Sequence, residues 1–171
     1  RRDGRPLVRA HDCFEYVFCG EGFVELQQRR ESVLKACVEL ACAVAAAEES
    51  PHTGIAEVVG AWVEDKTRHF TPRSNPAEPL GRLQAANDAI DIDAACECLL
   101  AWGQKTDRIA AVDLALQAAA LCPSLTNRQE DMLWTMARML RISPERFLAL
   151  CQKHLLTDHI RYEQWRLLLG I

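Results

Sequence analysis

Apolar side chains recur at helical spacing along almost the whole chain after residue 29. Because an α-helix completes a turn in about 3.6 residues, side chains three and four positions apart share one face. This spacing predicts a first helix over about 29–48 and a second helix that begins at Ile55. The second helix is expected to end near the proline-rich stretch 70–79, because proline cannot continue a helix. That stretch is the one long loop that the pattern predicts.

Shorter helices are predicted for the middle of the chain. We expect a short helix near 80–88, and after it a helix that Asp91 or Asp93 opens. Thr106 is expected to cap the helix after that, because a threonine hydroxyl can accept a hydrogen bond from an unpaired amide of the first turn. Each of these starts is predicted from the local sequence alone.

The last third of the chain carries the strongest helix-start signals. Thr126 and Gln129 fit a capping box, in which each side chain accepts a hydrogen bond from the other residue's backbone amide. Ser143 followed by Pro144 fits an N-cap with proline at the first helical position. A final helix is predicted to carry the apolar positions of 162–169.

Residues 7–26 do not show a clear helical pattern. Two apolar runs flank the segment 19–22, which contains two glycines and would suit the turn of a hairpin. Two phenylalanines of this region also lie four positions apart, so a helix broken at Gly20 is an equal alternative. We therefore assign 1–28 to an N-terminal arm or extension and 29–171 to the helical domain.

Two parts of the chain share one plan. In each, a helix ends in an alanine-rich stretch, a turn follows, and the next helix contains a tryptophan, Trp62 in the first unit and Trp134 in the second. One helix hairpin cannot bury its apolar stripe alone, so we expect two hairpins to pack face to face, with the turns 48–52 and 122–127 near each other. The pattern predicts an all-α fold, an orthogonal or antiparallel bundle of about six to eight helices. A short N-terminal hairpin or helix would complete it.

The composition fits an ordinary globular protein. Of the 171 residues, 49% are hydrophobic and 26% are charged. The net charge of −4 gives no electrostatic reason to expect a nucleic-acid partner. No apolar run reaches the roughly 18–20 residues that span a bilayer, so we expect no membrane insertion. Because no methionine precedes Arg1, the sequence is expected to be a piece of a longer protein.

The eight cysteines are more consistent with free thiols than with disulfides. Six of them lie in or beside apolar helical stretches, where a free cysteine behaves as a small buried hydrophobic residue. Cys96 is expected in the core, and Cys98, two positions later on the same helix, is expected to be partly exposed. With no secretory signal visible, the pattern favours a reducing compartment, either the cytoplasm or the cytoplasmic face of a membrane complex.

The second alanine-ended unit resembles a known family. The segment 118–130, AAALCPSLTNRQE, and the segment 139–147, MLRISPERF, look like the second half of a tellurite-resistance TerB / DjlA-like domain. The likeness extends more weakly back to about residue 30. It implies a helical module of bacterial proteins that accompanies envelope-stress, chaperone-adaptor and tellurite-resistance systems.

The resemblance also implies candidate metal ligands. In the family, Asp-Gly turns and the glutamates that follow them are associated with a divalent metal. This chain has Cys122-Pro123 at the second such turn, and only Glu130 remains there. The candidate ligands are Glu48, Glu57 and Glu130, with His52 in support. Because a hard cation needs several converging oxygen atoms, the loss of a turn carboxylate indicates a scaffold rather than a metal sensor.

Two other groups of residues could bind a metal, but each is incomplete. Cys151, His154 and Asp158 could share one helix face, yet a zinc site of the usual kind needs a fourth ligand. His11, Asp12, Cys13 and Cys19 could supply ligands from a loop, but no partner can be placed from the sequence. Buried or solvated side chains are the expected explanation for both groups, and no cofactor is expected.

No arrangement in the sequence predicts catalysis. No nucleophile lies in a recognisable context beside a base, and no glycine-rich phosphate-binding motif is present. We therefore expect a non-catalytic helical interaction or scaffold module that binds a protein partner or a neighbouring domain of its own chain. The alternatives are a divalent-metal-binding regulatory domain and a cysteine-dependent enzyme.

The tryptophans bear on where such a module would bind. All four lie on predicted helices at or near an apolar face, so the core is the expected place for Trp62, Trp102, Trp134 and Trp165. If Trp165 is exposed together with Leu168 and Leu169, these three residues are the candidate docking surface, because large aromatic side chains anchor protein interfaces.

Overall fold

The computed structural model describes most of the chain between residues 6 and 156. The described residues are 6–10, 13–16, 21–47, 54–68, 72, 74–85, 90–122, 125–154 and 156.

Helices dominate the part of the chain that the structure describes. A two-stranded antiparallel hairpin, β1 (Pro6–Ala10) and β2 (Cys13–Tyr16), precedes seven helices. The helices are α1 (Glu21–Ala46), α2 (Ile55–Thr67), α3 (Glu78–Ala85), α4 (Ile92–Trp102), α5 (Lys105–Ala119), α6 (Asn127–Met139) and α7 (Pro144–Lys153). The predicted all-α bundle of about six to eight helices is confirmed.

Helix α1 forms the centre of the bundle. It packs most extensively on α5 and also contacts α2, α3, α4 and α6. Alanine is frequent at the buried positions of both α1 and α5, for example Ala41 and Ala115, and α1 adds the buried Cys37 and Cys42. Such small side chains let two helices approach closely, so the alanine-rich stretches of the sequence become the α1–α5 contact.

The core has two parts, and α1 contributes to both. The larger part joins α1 to α4, α5, α6 and α7, and it contains Leu40 and Phe147, both fully buried. The smaller part joins α1 to α2 and α5 around Val38 and Val59. Each fully buried side chain of this size contributes about 1.5–3 kcal/mol to the free energy of unfolding. The bundle is therefore held by packing on opposite faces of one helix.

Three of the predicted helix starts are confirmed. The Asp91 side chain accepts a hydrogen bond from the amide of Ala94 at 3.0 Å, so Asp91 rather than Asp93 caps α4. Thr126 and Gln129 form the predicted capping box at α6. At α7, Ser143 is the N-cap and Pro144 is the first helical residue.

The start of α5 differs from the prediction. Thr106 does not cap this helix, because Lys105 is already its first residue and Gln104 is the N-cap. The Asp107 carboxylate accepts a hydrogen bond from the Gln104 amide at 2.8 Å, which completes a capping box with a glutamine in the place usually taken by serine or threonine. The prediction that Thr106 caps α5 is therefore wrong.

The N-terminal region combines the two alternatives that the sequence left open. A hairpin is present, but it pairs Ala10 with Cys13 and Pro6 with Tyr16 and so lies earlier than predicted. The segment 23–26, which was expected to be a strand under the hairpin alternative, belongs to α1. The helix begins directly after Gly20 and runs through residue 28, because Glu, Leu and Gln are good helix formers there.

The turn between α6 and α7 has an unusual backbone. Ile142 donates its amide hydrogen to the Ala137 carbonyl at 2.9 Å, and Arg141 donates to Arg138 at 3.0 Å, the paired bonds of a Schellman motif. This motif places one residue in the left-handed region, usually a glycine. Here the residue is Arg141, with φ of 57°, at a cost of about 1 kcal/mol.

None of the helices that the structure describes is both long and apolar enough to cross a bilayer.

Candidate functional site

The residues predicted to bind a metal are only partly described. Glu57 is exposed in the first turn of α2, and Glu130 is 3% exposed in the first turn of α6. Glu48 and His52 lie outside the described residues. In the part of the chain that was searched, no group of three or more His, Cys, Asp or Glu could hold a metal ion. The set Glu48, Glu57 and Glu130 stays a prediction.

A fully buried glutamine joins the two helix hairpins. The Gln129 side chain donates a hydrogen bond from Nε2 to the carbonyl of Val44, in the last turns of α1, at 3.2 Å. The end of α1 therefore meets the start of α6, as expected for hairpins that pack face to face. The first of the two turns, 48–52, lies outside the described residues, so the predicted closeness of the turns stays a prediction.

The predicted zinc group contains a histidine that is hydrogen-bonded to a carboxylate. His154 Nε2 lies 2.8 Å from Asp113 Oδ1, and Lys153 Nζ lies 2.7 Å from Asp113 Oδ2. Burial raises the pKa of the Asp113 carboxyl, but the hydrogen bonds and charges of Lys153 and His154 outweigh burial, so the pKa lies below its ordinary value of 3.8. Cys151 is buried, and Asp158 lies outside the described residues. His154 thus ties α7 to α5.

The six cysteines from Cys37 to Cys151 are free thiols, four of them buried. Burial is the largest cause that raises the pKa of the Cys96 thiol to about 11 and that of Cys151 to about 12. A thiol must lose its proton to act as a nucleophile, so these side chains are poor nucleophiles near neutral pH. As predicted, Cys96 is fully buried and Cys98 is partly exposed.

Three of the four tryptophans are described, and one of them departs from the prediction. Trp62 and Trp134 are partly buried against the core, and the Trp134 ring lies 5.4 Å from that of Phe147. Trp102 was expected in the core but is 51% exposed. It is the last residue of α4, one turn beyond the fully buried Leu99, where the helix leaves the bundle core.

The Trp102 ring contacts helix α1. The guanidinium carbon of Arg29 lies 4.3 Å from the centre of the Trp102 ring, a cation–π contact across the α1–α4 interface. Glu25, one turn earlier, forms an ion pair with Arg29. Leu26 is 52% exposed and, three positions before Arg29, shares its face of α1. We name Leu26, Arg29 and Trp102 the Trp102 surface.

The sequence held only a weak signal for this surface. Gly103 directly after Trp102 marks the end of α4, and a large side chain at a helix end is often less covered than one in the middle. The partner across the interface, Arg29, is 73 positions away in the sequence and could not be chosen from it. The predicted docking residues Trp165, Leu168 and Leu169 lie outside the described residues.

A wide groove of about 620 Å³ lies between the start of α4 and the outer face of α6. Ile90, Ile92 and Met132 form part of its apolar lining. Carboxylates and one arginine stand among them, with Asp91 already engaged as the cap of α4. The mixed charge of this groove favours no particular ligand.

Comparison with known proteins adds no relative. No family model, no curated protein and no solved structure matches the chain. The resemblance to the TerB / DjlA-like family therefore rests on the residues of 118–147.

Proposed function

We propose that the chain is a non-catalytic helical interaction module, and that it binds another protein through the Trp102 surface. The observation that carries this proposal is a tryptophan left 51% exposed at the end of a core helix, with an arginine held over its ring. Tryptophan and arginine are the side chains most enriched at the energetic centres of protein interfaces.

The arrangement favours a partner with an apolar side chain beside a carboxylate. Trp102 and Leu26 both leave about half of their area in water, and covering it would contribute about 25 cal/mol for each Å² removed. Arg29 offers a guanidinium that a partner carboxylate can contact in place of the exposed Glu25. The cation–π contact holds the ring in place before binding, which lowers the entropy cost of association.

Other features support a binding role rather than catalysis. The raised pKa values of Cys42, Cys96 and Cys151 speak against a cysteine nucleophile among these three. The resemblance of 118–147 to TerB / DjlA-like domains supports a place in a bacterial stress or chaperone-adaptor system, in the cytoplasm or on the cytoplasmic face of a membrane complex. The partner is then another protein of that system or a neighbouring domain of the same polypeptide.

The test compares two exposed side chains of α4. Trp102→Ser removes the proposed anchor, whereas Leu100→Ser changes a 37% exposed residue outside the Trp102 surface. Proteins retained from an extract of the source cells by the immobilised wild type would be identified, purified and titrated against both variants by calorimetry. We expect Trp102→Ser to weaken binding about thirtyfold, the effect of an interface anchor worth about 2 kcal/mol, and Leu100→Ser to change it less than about threefold.

Two results would contradict the proposal. Equal binding by wild type and Trp102→Ser would exclude this surface as the docking site. Concentration-dependent sedimentation of the wild type alone, lost in Trp102→Ser, would assign the surface to self-association rather than to a different protein.

A further inference from the structure

A small basic pocket lies where the start of α5 meets the α6–α7 turn. It has a volume of about 340 Å³. Lys105 and Arg108 line it from α5, Arg141 from the turn and Arg146 from α7. Its remaining lining is Ile109, Leu140, Ile142 and Ser143. We name this cavity the basic pocket.

The charge of the basic pocket is unbalanced. Among the described residues, its lining holds four cationic side chains and no carboxylate, in a chain whose net charge is −4. None of the four forms an ion pair with a described acidic residue. Like charges that share a cleft repel one another, and an incoming anion relieves that repulsion. The local field therefore selects for negative charge.

Arg108 has hydrogen-bonding capacity to spare. Its Nη1 donates to the Leu140 carbonyl at a long 3.4 Å, and its Nε, which is buried, has no hydrogen-bond partner among the described residues. A guanidinium binds an oxyanion through its N–H groups, and the long bond to Leu140 leaves Nη1 only weakly engaged, so Arg108 gains from such a ligand. Arg108 is partly buried, which strengthens its interaction with an anion relative to a fully solvated cation.

The rest of the pocket agrees with this preference. Its wall includes Ser143, the N-cap of α7, where the helix dipole also favours negative charge. Glu145 lies in the same turn and its carboxylate is hydrogen-bonded to the Ser143 side chain, but Glu145 is fully exposed and is not among the residues that line the pocket. Arg141 occupies a left-handed backbone position that glycine would fill without strain, so the arginine is kept there at a cost in stability.

The geometry points to a binding site for a phosphate group carried by a small organic molecule. Phosphate suits several arginines because its oxygens can accept from more than one guanidinium at once. The volume is near the lower end of small-molecule sites, which leaves room for a short organic part against Ile109, Leu140 and Ile142. The acidic net charge disfavours a nucleic-acid backbone as the source of the phosphate. This site shares no residue with the Trp102 surface.

Calorimetry of the whole chain with two probes tests the proposal. The probes are inorganic phosphate and n-butyl phosphate, at constant ionic strength. We expect dissociation constants of about 1 mM or tighter, with n-butyl phosphate binding about tenfold more tightly, because its alkyl chain removes apolar surface from water. If neither probe gives binding heat at about 10 mM, roughly ten times the expected dissociation constant, the proposed site is wrong. If both probes bind with equal affinity, the site does not recognise an organic part of the ligand and is a site for free phosphate.

Matched charge changes show whether the pocket itself binds. Arg146→Gln removes an exposed cation of the pocket, and Arg138→Gln removes an exposed cation of the last turn of α6 that does not line it. We expect the first to weaken n-butyl phosphate binding about fivefold or more and the second less than about twofold. Equal losses would show a net-charge effect and overturn the proposal.

A glycine variant separates binding from folding. Arg141→Gly suits the left-handed backbone and is expected to fold at least as well as the wild type, yet it removes one cation of the basic pocket. We expect it to weaken n-butyl phosphate binding about threefold or more. If this variant folds and binds n-butyl phosphate with unchanged affinity, Arg141 does not contribute to binding, which contradicts the basic pocket as the binding site.

Discussion

Helices α5 and α7 bring cations together at two places, and the two places differ in how those charges are balanced. Toward the end of α7, Lys153 and His154 both contact Asp113 of α5. At the start of α7, Arg146 lines the basic pocket together with Arg108 of α5, and no carboxylate is among the described residues of its lining. We call the cluster of Lys153, His154 and Asp113 the neutralised end of this helix pair, and the basic pocket its uncompensated end.

The difference separates a structural charge cluster from a binding site. A cluster that serves the fold carries its own counter-charge, because partly buried cations without one destabilise the folded state. Asp113 supplies that charge for two residues, and its pKa is lowered as a result. The described residues that line the basic pocket include no such counter-charge, which suits a ligand that brings it. Stability measurements at the two ends should therefore respond differently to substitution.

The largest effect is expected at the neutralised end. Asp113→Asn removes the carboxylate charge from Lys153 and His154, and it should lower the free energy of unfolding at pH 7 by about 1.5–3 kcal/mol, the range for a hydrogen bond to a charged group. Urea unfolding measures this difference. Asp65→Asn, at an exposed ion pair of α2, is the control and should cost less than about 0.5 kcal/mol. Equal costs would remove the distinction between the Asp113 cluster and an ordinary surface pair.

The effect of Asp113 should depend on pH in one direction. Its folded pKa lies below the ordinary 3.8, so its stabilisation is present above pH 3.8 and is lost progressively as the pH falls below 3.8 and through the folded pKa. The difference in the free energy of unfolding between wild type and Asp113→Asn should therefore be smaller at pH 3 than at pH 7, as measured by urea unfolding. A gap that stays constant from pH 7 to pH 3 would mean that the charge of Asp113 contributes nothing.

At the uncompensated end, we expect a substitution that raises the free energy of unfolding. Arg141→Gly relieves the left-handed backbone strain and should raise the free energy of unfolding by about 1 kcal/mol. Arg138→Gly, three positions earlier in the last turn of α6, is the control and should lower it by about 1 kcal/mol, since glycine weakens a right-handed helix. Thermal or urea unfolding gives both signs. A loss of stability in Arg141→Gly would show that the arginine side chain serves the fold.

The smallest effect is expected for a cation of the basic pocket that has no described acidic partner. Arg146→Gln should change the free energy of unfolding by less than about 0.5 kcal/mol in buffer without phosphate, because no ion pair is lost. Chemical unfolding beside Asp113→Asn provides the comparison. A cost as large as that of Asp113→Asn would place Arg146 in a structural cluster and erase the contrast between the two ends.

Local chemistry explains which parts of the fold were predictable. Asp91, Thr126 and Ser143 each cap a helix through an amide two or three positions away, so a short stretch of sequence contains both partners. Gln104 is the exception, because its role depends on the helix beginning one residue before the more typical cap, Thr106. The bundle itself follows from apolar periodicity, which the α1–α5 contact uses.

The candidate sites depend on contacts between distant parts of the chain. Arg29 meets Trp102 only because α1 packs on α4, and Asp113 meets His154 only because α5 packs on α7. Periodicity predicts which face of a helix is buried, but not which neighbour covers its end. The exposure of Trp102 and the lack of a carboxylate among the described residues that line the basic pocket therefore had no counterpart in the sequence pattern.

One titration examines both ends of α7 at once. Backbone amide shifts of the 15N-labelled chain would be followed by NMR as n-butyl phosphate is added at constant ionic strength. We expect saturable changes at 141–146, beside the basic pocket, and none at Lys153 and His154, where Asp113 already neutralises the charge. Changes of equal size at both ends, or changes confined to Lys153 and His154, would contradict the assignment of the uncompensated end as the binding site.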